Sequence, residues 1–190
     1  MTAQPSPHKD AVRKILDAVK ADKRTSLTAP EGKLVCDAYG IPVPWEGVAS
    51  SAAEAAKLAD GMGYPVVLKI VSPDILHKSD IGGVLLDVPA GEEAVRAAYQ
   101  AVTAAAPDGA RIDGVLVSPM RRGGTELLVG VVRDPQWGPV LAVAIGGLLV
   151  EVLRDSALAP LPVAPGQAGR LLDRLRGRAV LDGVRGAVPA

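Results

Sequence analysis

The chain has 190 residues, 48% of them hydrophobic, which suits one domain or one and a half around a real core. Lysine plus arginine and aspartate plus glutamate each number 21, so the net charge is zero and the basic excess of a nucleic-acid binder is missing. One cysteine, Cys36, excludes an intrachain disulfide framework or thiolate metal site, and no apolar run approaches the ~20 residues a membrane span needs.

There is no phenylalanine, so alanine, valine and leucine must fill the core. Residues 1–8 carry no apolar signal core and read as disordered, and a cytoplasmic soluble protein is the expectation. Val12, Ile15, Leu16 and Val19 recur at helical spacing and predict a helix over 10–21. Thr28-Ala-Pro-Glu31 opens a second helix, with Thr28 as N-cap and Pro30 in the first turn, ending at Gly40. Cys36 falls in this helix and reads as a small core residue rather than a nucleophile. Ile41 to Pro44 reads as a short edge strand, where prolines are tolerated.

Ser51-Ala-Ala-Glu54 is a capping-box signature for a helix with Ala55, Leu58, Ala59 and Met62 on one face. A strand over 64–71 follows, then a Gly82-Gly83 turn, a strand over 84–88 and a helix over 92–106. The remainder reads as strands over 114–117, 126–132, 140–145 and 150–153, a helix over 167–176 and a terminal loop. The order is helices, a small α/β lobe, then a mostly β lobe.

The stretch from Tyr64 to Val84 concentrates the chemistry. An apolar run delivers Lys69, eight residues later come His77-Lys78-Ser79-Asp80, and then Gly82-Gly83. Lysine offers a point charge for phosphate. Glycines let backbone N–H groups approach oxygens that a Cβ would hold away. Histidine can exchange a proton or a phosphoryl group near neutral pH. Each part alone also has an ordinary reading: a solvated strand end, a hairpin turn, polar surface.

These strings resemble the ATP-grasp domain of the β-subunit of ADP-forming acetyl-CoA synthetases (acetate–CoA ligases), relatives of succinyl-CoA synthetase. The carriers are Tyr39-Gly-Ile-Pro-Val43, Gly63-Tyr-Pro-Val-Val-Leu-Lys69, Pro73-Asp-Ile-Leu-His-Lys-Ser-Asp-Ile-Gly-Gly-Val84, Gly124-Thr-Glu126, Arg133-Asp-Pro-Gln-Trp-Gly-Pro139 and Gly146-Gly147 with Val150-Glu151. The resemblance implies an α/β (α+β) ATP-grasp fold: two lobes with a nucleotide cleft between them, the second lobe incomplete at the C-terminus. It implies a tail and helix over 1–24, an ATP-grasp domain over 25–186 with a small lobe about 46–116 and a hinge about 117–121, and a tail over 187–190.

By the same resemblance, Lys69 and Lys78 hold nucleotide phosphates and Gly82 and Gly83 form the loop over them. His77 takes a phosphoryl group in transit, and Asp80 orients its ring. Ser118 and Met120 match the hinge that reads adenine, and Glu126 is a looser candidate for a ribose hydroxyl. ATP or ADP is the implied cofactor, and an α-type CoA-binding subunit or domain the implied partner, with no nucleic acid and no membrane.

The sequence departs from the family in three places. The hinge reads Ser118-Pro119-Met120 where the family has Gln-Glu-Met, and Pro119 removes a backbone donor. Asp155 to Pro160 is about two residues short and lacks an arginine. The strands whose Asn and Asp hold Mg²⁺ do not occur, and the chain contains no Asn, which leaves Glu151 as a weak metal candidate. The implied function is a component passing phosphoryl groups between a phosphohistidine and ADP. The alternative is a non-catalytic nucleotide-binding remnant or regulatory module.

Overall fold

The computed structural model describes residues 7–146 and 155–183; expectations for residues 1–6, Gly147, 150–153, Glu151 and 184–190 lie outside these. The chain divides into two compact units, Met1–Arg121 and Arg122–Ala190.

The first unit is organised around its most apolar strand. In chain order it contains α1 (Pro7–Ala21), α2 (Ala29–Ala38), β1 (Gly47–Ala49), α3 (Ala52–Met62), β2 (Val66–Val71), β3 (Val84–Val88), α4 (Glu92–Ala104) and β4 (Gly114–Pro119). β2 and β4 sit at the centre of an antiparallel sheet of order β1-β4-β2-β3. Strand residues alternate between faces. One set, Val66, Leu68, Val115 and Val117, packs with Ala55, Ala59, Val95 and Val102 of α3 and α4. Alanine on α3 lets the helix approach the sheet closely, so a core without phenylalanine closes around small side chains. Full burial of a side chain such as Leu68 contributes about 1.5–3 kcal/mol.

α1 begins at Pro7, inside the stretch read as disordered. α2 starts as expected: Glu31 reaches back and accepts from the Thr28 N–H at 2.7 Å, one half of a capping box. α3 completes its box differently. The Ser51 hydroxyl accepts from Glu54 N–H, but the Glu54 carboxylate accepts from the N–H of Ser50, one residue before the cap. The expected edge strand over 41–44 is not one. Its two prolines lack N–H donors for a ladder, and the strand forms after them, at Gly47, where Gly47, Val48 and Ala49 pair with Val117, Leu116 and Val115.

The second unit holds β5 (Leu127–Asp134), β6 (Gly138–Ile145), β7 (Ser156–Pro160) and α5 (Gln167–Asp173), with a 3₁₀ turn at Arg178–Asp182. Its sheet is antiparallel in the order β5-β6-β7. Asp134 closes the β5–β6 hairpin by accepting from the N–H groups of Gln136 and Trp137. Val143, Ala157, Ala159, Leu171 and Leu175 make its core. β7 was not expected. Its alternation is carried by small residues, Ala157 and Ala159 inward and Leu158 outward. α5 is three residues shorter than expected: Asp155 accepts from the N–H groups of Arg176 and Gly177 and takes up the chain where the helix would have continued. Those two backbone donors also hold the Asp155 carboxyl below its ordinary pKa.

Candidate phosphate-handling site

The face of the first sheet opposite α3 and α4 carries the candidate site. Register places Val48, Leu116, Lys69 and Val84 directly opposite one another across β1, β4, β2 and β3. The row is apolar except for Lys69. With ~4.8 Å between strands it spans about 14 Å. Leu68 and Ile70 on the other face are fully buried, so β2 is fixed and Lys69 is presented from a rigid base.

A groove of about 600 Å³ lies over the Lys69 end of this row, lined by Lys69, His77, Lys78, Ser79 and Asp80 with Leu76, Val84 and Leu86 at its sides. The structure thus brings together four of the residues singled out from sequence: Lys69, His77, Lys78 and Asp80. Two ammonium groups and an imidazole in one open groove suit a phosphoryl group, whose oxygens need cations while phosphorus needs a nucleophile. Among the described residues no hydrogen bond joins Asp80 to His77, so in this conformation Asp80 lines the groove without orienting the ring. The Lys78 ammonium donates to the Ile75 carbonyl at 3.2 Å.

The two glycines close the loop through bonds within its own turn. Gly82 takes φ +77°, and its N–H donates to the Ser79 carbonyl at 3.2 Å. The Gly83 N–H donates to the Lys78 carbonyl at 2.8 Å, and its own carbonyl accepts from Ile70. A Cβ on Gly83 would stand 2.7 Å from Ile70 Cγ2 and 3.0 Å from the Lys78 oxygen. Both N–H groups close the turn behind Lys78, so the glycines shape the loop instead of facing the groove.

At the far end of β4, Ser118 is buried and paired with Val67, and the Met120 N–H donates to the Pro65 carbonyl at 3.0 Å. That N–H is therefore engaged and is not a donor for a base edge. Met120, Pro119, Trp45, Met62 and Tyr64 line a further groove of about 380 Å³. Glu126 belongs to the second unit and is exposed just before β5. Glu151 lies outside the described residues. Among those described, no group of three or more His, Cys, Asp or Glu could hold a metal ion. The described residues alone do not fit a Mg²⁺ site.

Sequence reading missed Lys33 and Glu46. They pair across α2 and the lead-in to β1, beside an apolar groove of about 480 Å³ walled by Pro30, Trp45, Val48 and Leu116. Leu116 is the cross-strand neighbour of Lys69. Burial, and then the charge of Lys69, pull the Lys33 ammonium below its ordinary pKa. The pair lies thirteen positions apart in sequence, and no local pattern signals such a contact.

A sheet lysine, a polar groove over it and a glycine-closed loop carrying a histidine share one face of an antiparallel sheet in an α/β unit. The chain belongs to the ATP-grasp family, whose domain matches residues 18–190. It is 39% identical to the β-subunit of an ADP-forming acetate–CoA ligase II of Pyrococcus furiosus, over 93% of this chain and 76% of that subunit. It is 40% identical to a 4-hydroxybutyrate–CoA ligase (ADP-forming) of Nitrosopumilus maritimus, over 96% of this chain but 26% of that protein. The chain thus spans about three quarters of the β-subunit and about a quarter of the longer ligase.

A solved acetyl-coenzyme A synthetase 1 of Ca. Korarchaeum cryptofilum, in complex with coenzyme A, Ca-AMPCP and HgCl⁺, superimposes with a TM-score of 0.87 at 38% identity. It covers 93% of this chain and 78% of that one. A second structure of that enzyme, with Mg-AMPPCP and a phosphohistidine segment pointing towards the nucleotide binding site, gives 0.78 at 35% identity, covering 94% and 77%. No helix among the described residues is long and apolar enough to cross a membrane.

Proposed function

We propose that this chain is the nucleotide-handling component of an ADP-forming acyl-CoA synthetase, moving a phosphoryl group between a phosphohistidine and ADP. The observation that carries the reading is the convergence of Lys69, His77, Lys78 and Asp80 on one groove. In the direction of ATP formation, a phosphohistidine of an α-type CoA-binding partner gives up its phosphoryl group: its P–N bond breaks as a bond to an imidazole nitrogen of His77 forms. The β-phosphate oxygen of ADP then takes the group and His77 is released. Lys69 and Lys78 neutralise the oxygens, which matters most when charge is spread over them in transfer. The base lies toward the Ser118–Met120 end of β4, read by groups other than the Met120 N–H.

Titration calorimetry with ADP and ATP, followed by ATP–ADP phosphoryl exchange with the partner subunit, tests this. Binding with exchange supports the component reading. Binding without exchange makes the chain a nucleotide-binding module, and the absence of both from a folded chain removes the assignment.

A further inference from the structure

We propose that Asp74 is the positioning residue for His77: its carboxylate fixes the path by which the loop leaves β2 and so places the imidazole in the groove. The inference rests on the phosphoryl-carrying reading of His77. The strand pairing of β2 and β4 ends at Val71 opposite Gly114, and the Asp113 N–H still donates to the Val71 carbonyl at 2.8 Å. Beyond this the two chains separate. Asp74 Oδ2 then accepts from the Arg111 N–H at 2.7 Å, across 37 residues. The side chain stands where the next strand carbonyl would have stood, and it holds the departing chain against the lead-in to β4.

The remainder of the loop is secured on either side of His77. The Asp74 N–H donates to the hydroxyl of buried Ser72 at 3.1 Å, and Ile75 is inserted into the core at 6% exposure. On the far side the Lys78 carbonyl accepts from Gly83. Between these anchors Leu76, 69% exposed, and His77 are lifted into solvent. Only two residues, Ile75 and Leu76, separate Asp74 from His77, so a shift of the carboxylate anchor is transmitted to the ring with little slack.

Arg111 is itself held, which makes it a fixed donor. Its guanidinium binds Asp113 Oδ1 at 2.8 Å and Asp22 Oδ2 at 2.9 Å. Asp22 also binds Arg24, and Arg24 grips Glu31 at the start of α2. The loop that carries His77 is thereby tied to the α1–α2 connection through residues far apart in sequence. The Asp74 contact is exposed, so its loss is worth only about fivefold in a rate that depends on ring placement.

The experiment phosphorylates the full chain with phosphoramidate. The reagent's P–N bond breaks as an imidazole N–P bond forms, ammonia leaves, and the ring N–H proton goes to solvent. The chain has two histidines, and His8, exposed on α1, is an internal reference. Peptide mass spectrometry reads the ratio of phospho-His77 to phospho-His8, and calorimetry reads ADP affinity. In the wild type the ratio exceeds one, because Lys69 and Lys78 flank His77; a ratio of one or below defeats the relay reading and this inference together. Asp74→Ala and Asp74→Glu, which remove or displace the acceptor, lower the ratio about fivefold with ADP affinity unchanged. Asp74→Asn, which keeps an oxygen in place, stays within twofold of wild type. Three outcomes overturn the inference while leaving the relay reading: a full ratio in Asp74→Glu with loss in Asp74→Asn, a wild-type ratio in every variant, or ADP affinity falling in step with the ratio. Should Asp74→Ala not fold, the Asn and Glu variants decide.

Discussion

Lys69 differs from every other residue in its cross-strand row by its charge, and its strand is immobilised by Leu68 and Ile70 on the opposite face. A cation held this way meets phosphate without reorganisation. Lys69→Ala is expected to weaken ADP binding by about 1–3 kcal/mol, the range for hydrogen bonds to charged groups, as measured by calorimetry; unchanged affinity would remove it from the phosphates. His77 is expected to behave oppositely. His77→Ala spares ADP affinity and abolishes phosphoryl exchange, so full exchange in that variant would end the relay assignment. Gly83 is a steric position. Its added Cβ would meet Ile70 and the Lys78 carbonyl within 3.0 Å, so Gly83→Ala is expected to cost about 1–3 kcal/mol by overpacking, visible as a lower urea midpoint. Lysine and histidine were legible because the chemistry resides in the side chains themselves. The engagement of the Met120 N–H, the inward use of the Gly82 and Gly83 N–H groups and the Lys33–Glu46 pair were not. The Met120 and Lys33 partners are brought in by tertiary folding, and the glycine bonds depend on a turn geometry that the residue types alone do not fix.

At the scale of elements, the start of α2 carries the strongest charge arrangement. Arg24 donates twice to Glu31, at 2.6 and 2.8 Å, while Glu31 accepts from Thr28. The Arg24 guanidinium in the first place, then the Thr28 donors, hold the Glu31 carboxyl down at about 2 from an ordinary 4.5, against the opposing pull of desolvation. A depressed carboxylate contributes stability that is present above its unfolded pKa and lost as pH falls through the folded one. Its contribution is therefore complete above about pH 4.5 and declines down to about pH 2. Arg24→Ala is expected to return the Glu31 titration toward 4.5, followed by NMR, and to raise the pH midpoint of acid unfolding, followed by circular dichroism; an unmoved titration would show that Thr28 alone sets it. Elements were legible where one period dominated. α3, α4, β2 and β3 have apolar spacing that matches what they bury, and their observed bounds fall within two residues of expectation. β1 and β7 were not legible. β1 has three residues whose only strand signal is their pairing with β4, and β7 alternates alanine with leucine, a pattern too shallow in hydrophobicity to declare a face.

For the whole molecule, the two units reach stability by different routes. The first encloses β2 and β4 between outer strands and backs them with two helices, so its central strands expose little apolar surface. In the second unit β5 stands at the edge of a three-stranded sheet and is open on both faces: Leu128 is 49% exposed, Val129 66%, Val131 60% and Val132 56%. Alternation cannot conceal such a strand, because its odd and even residues are both apolar. Long apolar edge strands template pairing with other chains unless charge or proline blunts them. Within β5 the only charges are Arg133 and Asp134, both at its hairpin end. Val131→Lys adds a cation in the strand's second half at a site that buries little. It is expected to change unfolding free energy by no more than ~0.5 kcal/mol, as for an ordinary surface substitution, while lowering concentration-dependent light scattering. If the edge is the self-association surface, Val131→Lys scatters less and ADP affinity is retained, since the groove proposed to take phosphate lies wholly in the first unit. Scattering that persists in this variant would place the association elsewhere, with the exposed apolar residues of the first unit, Trp45 and Leu76 among them, as the next surfaces to charge.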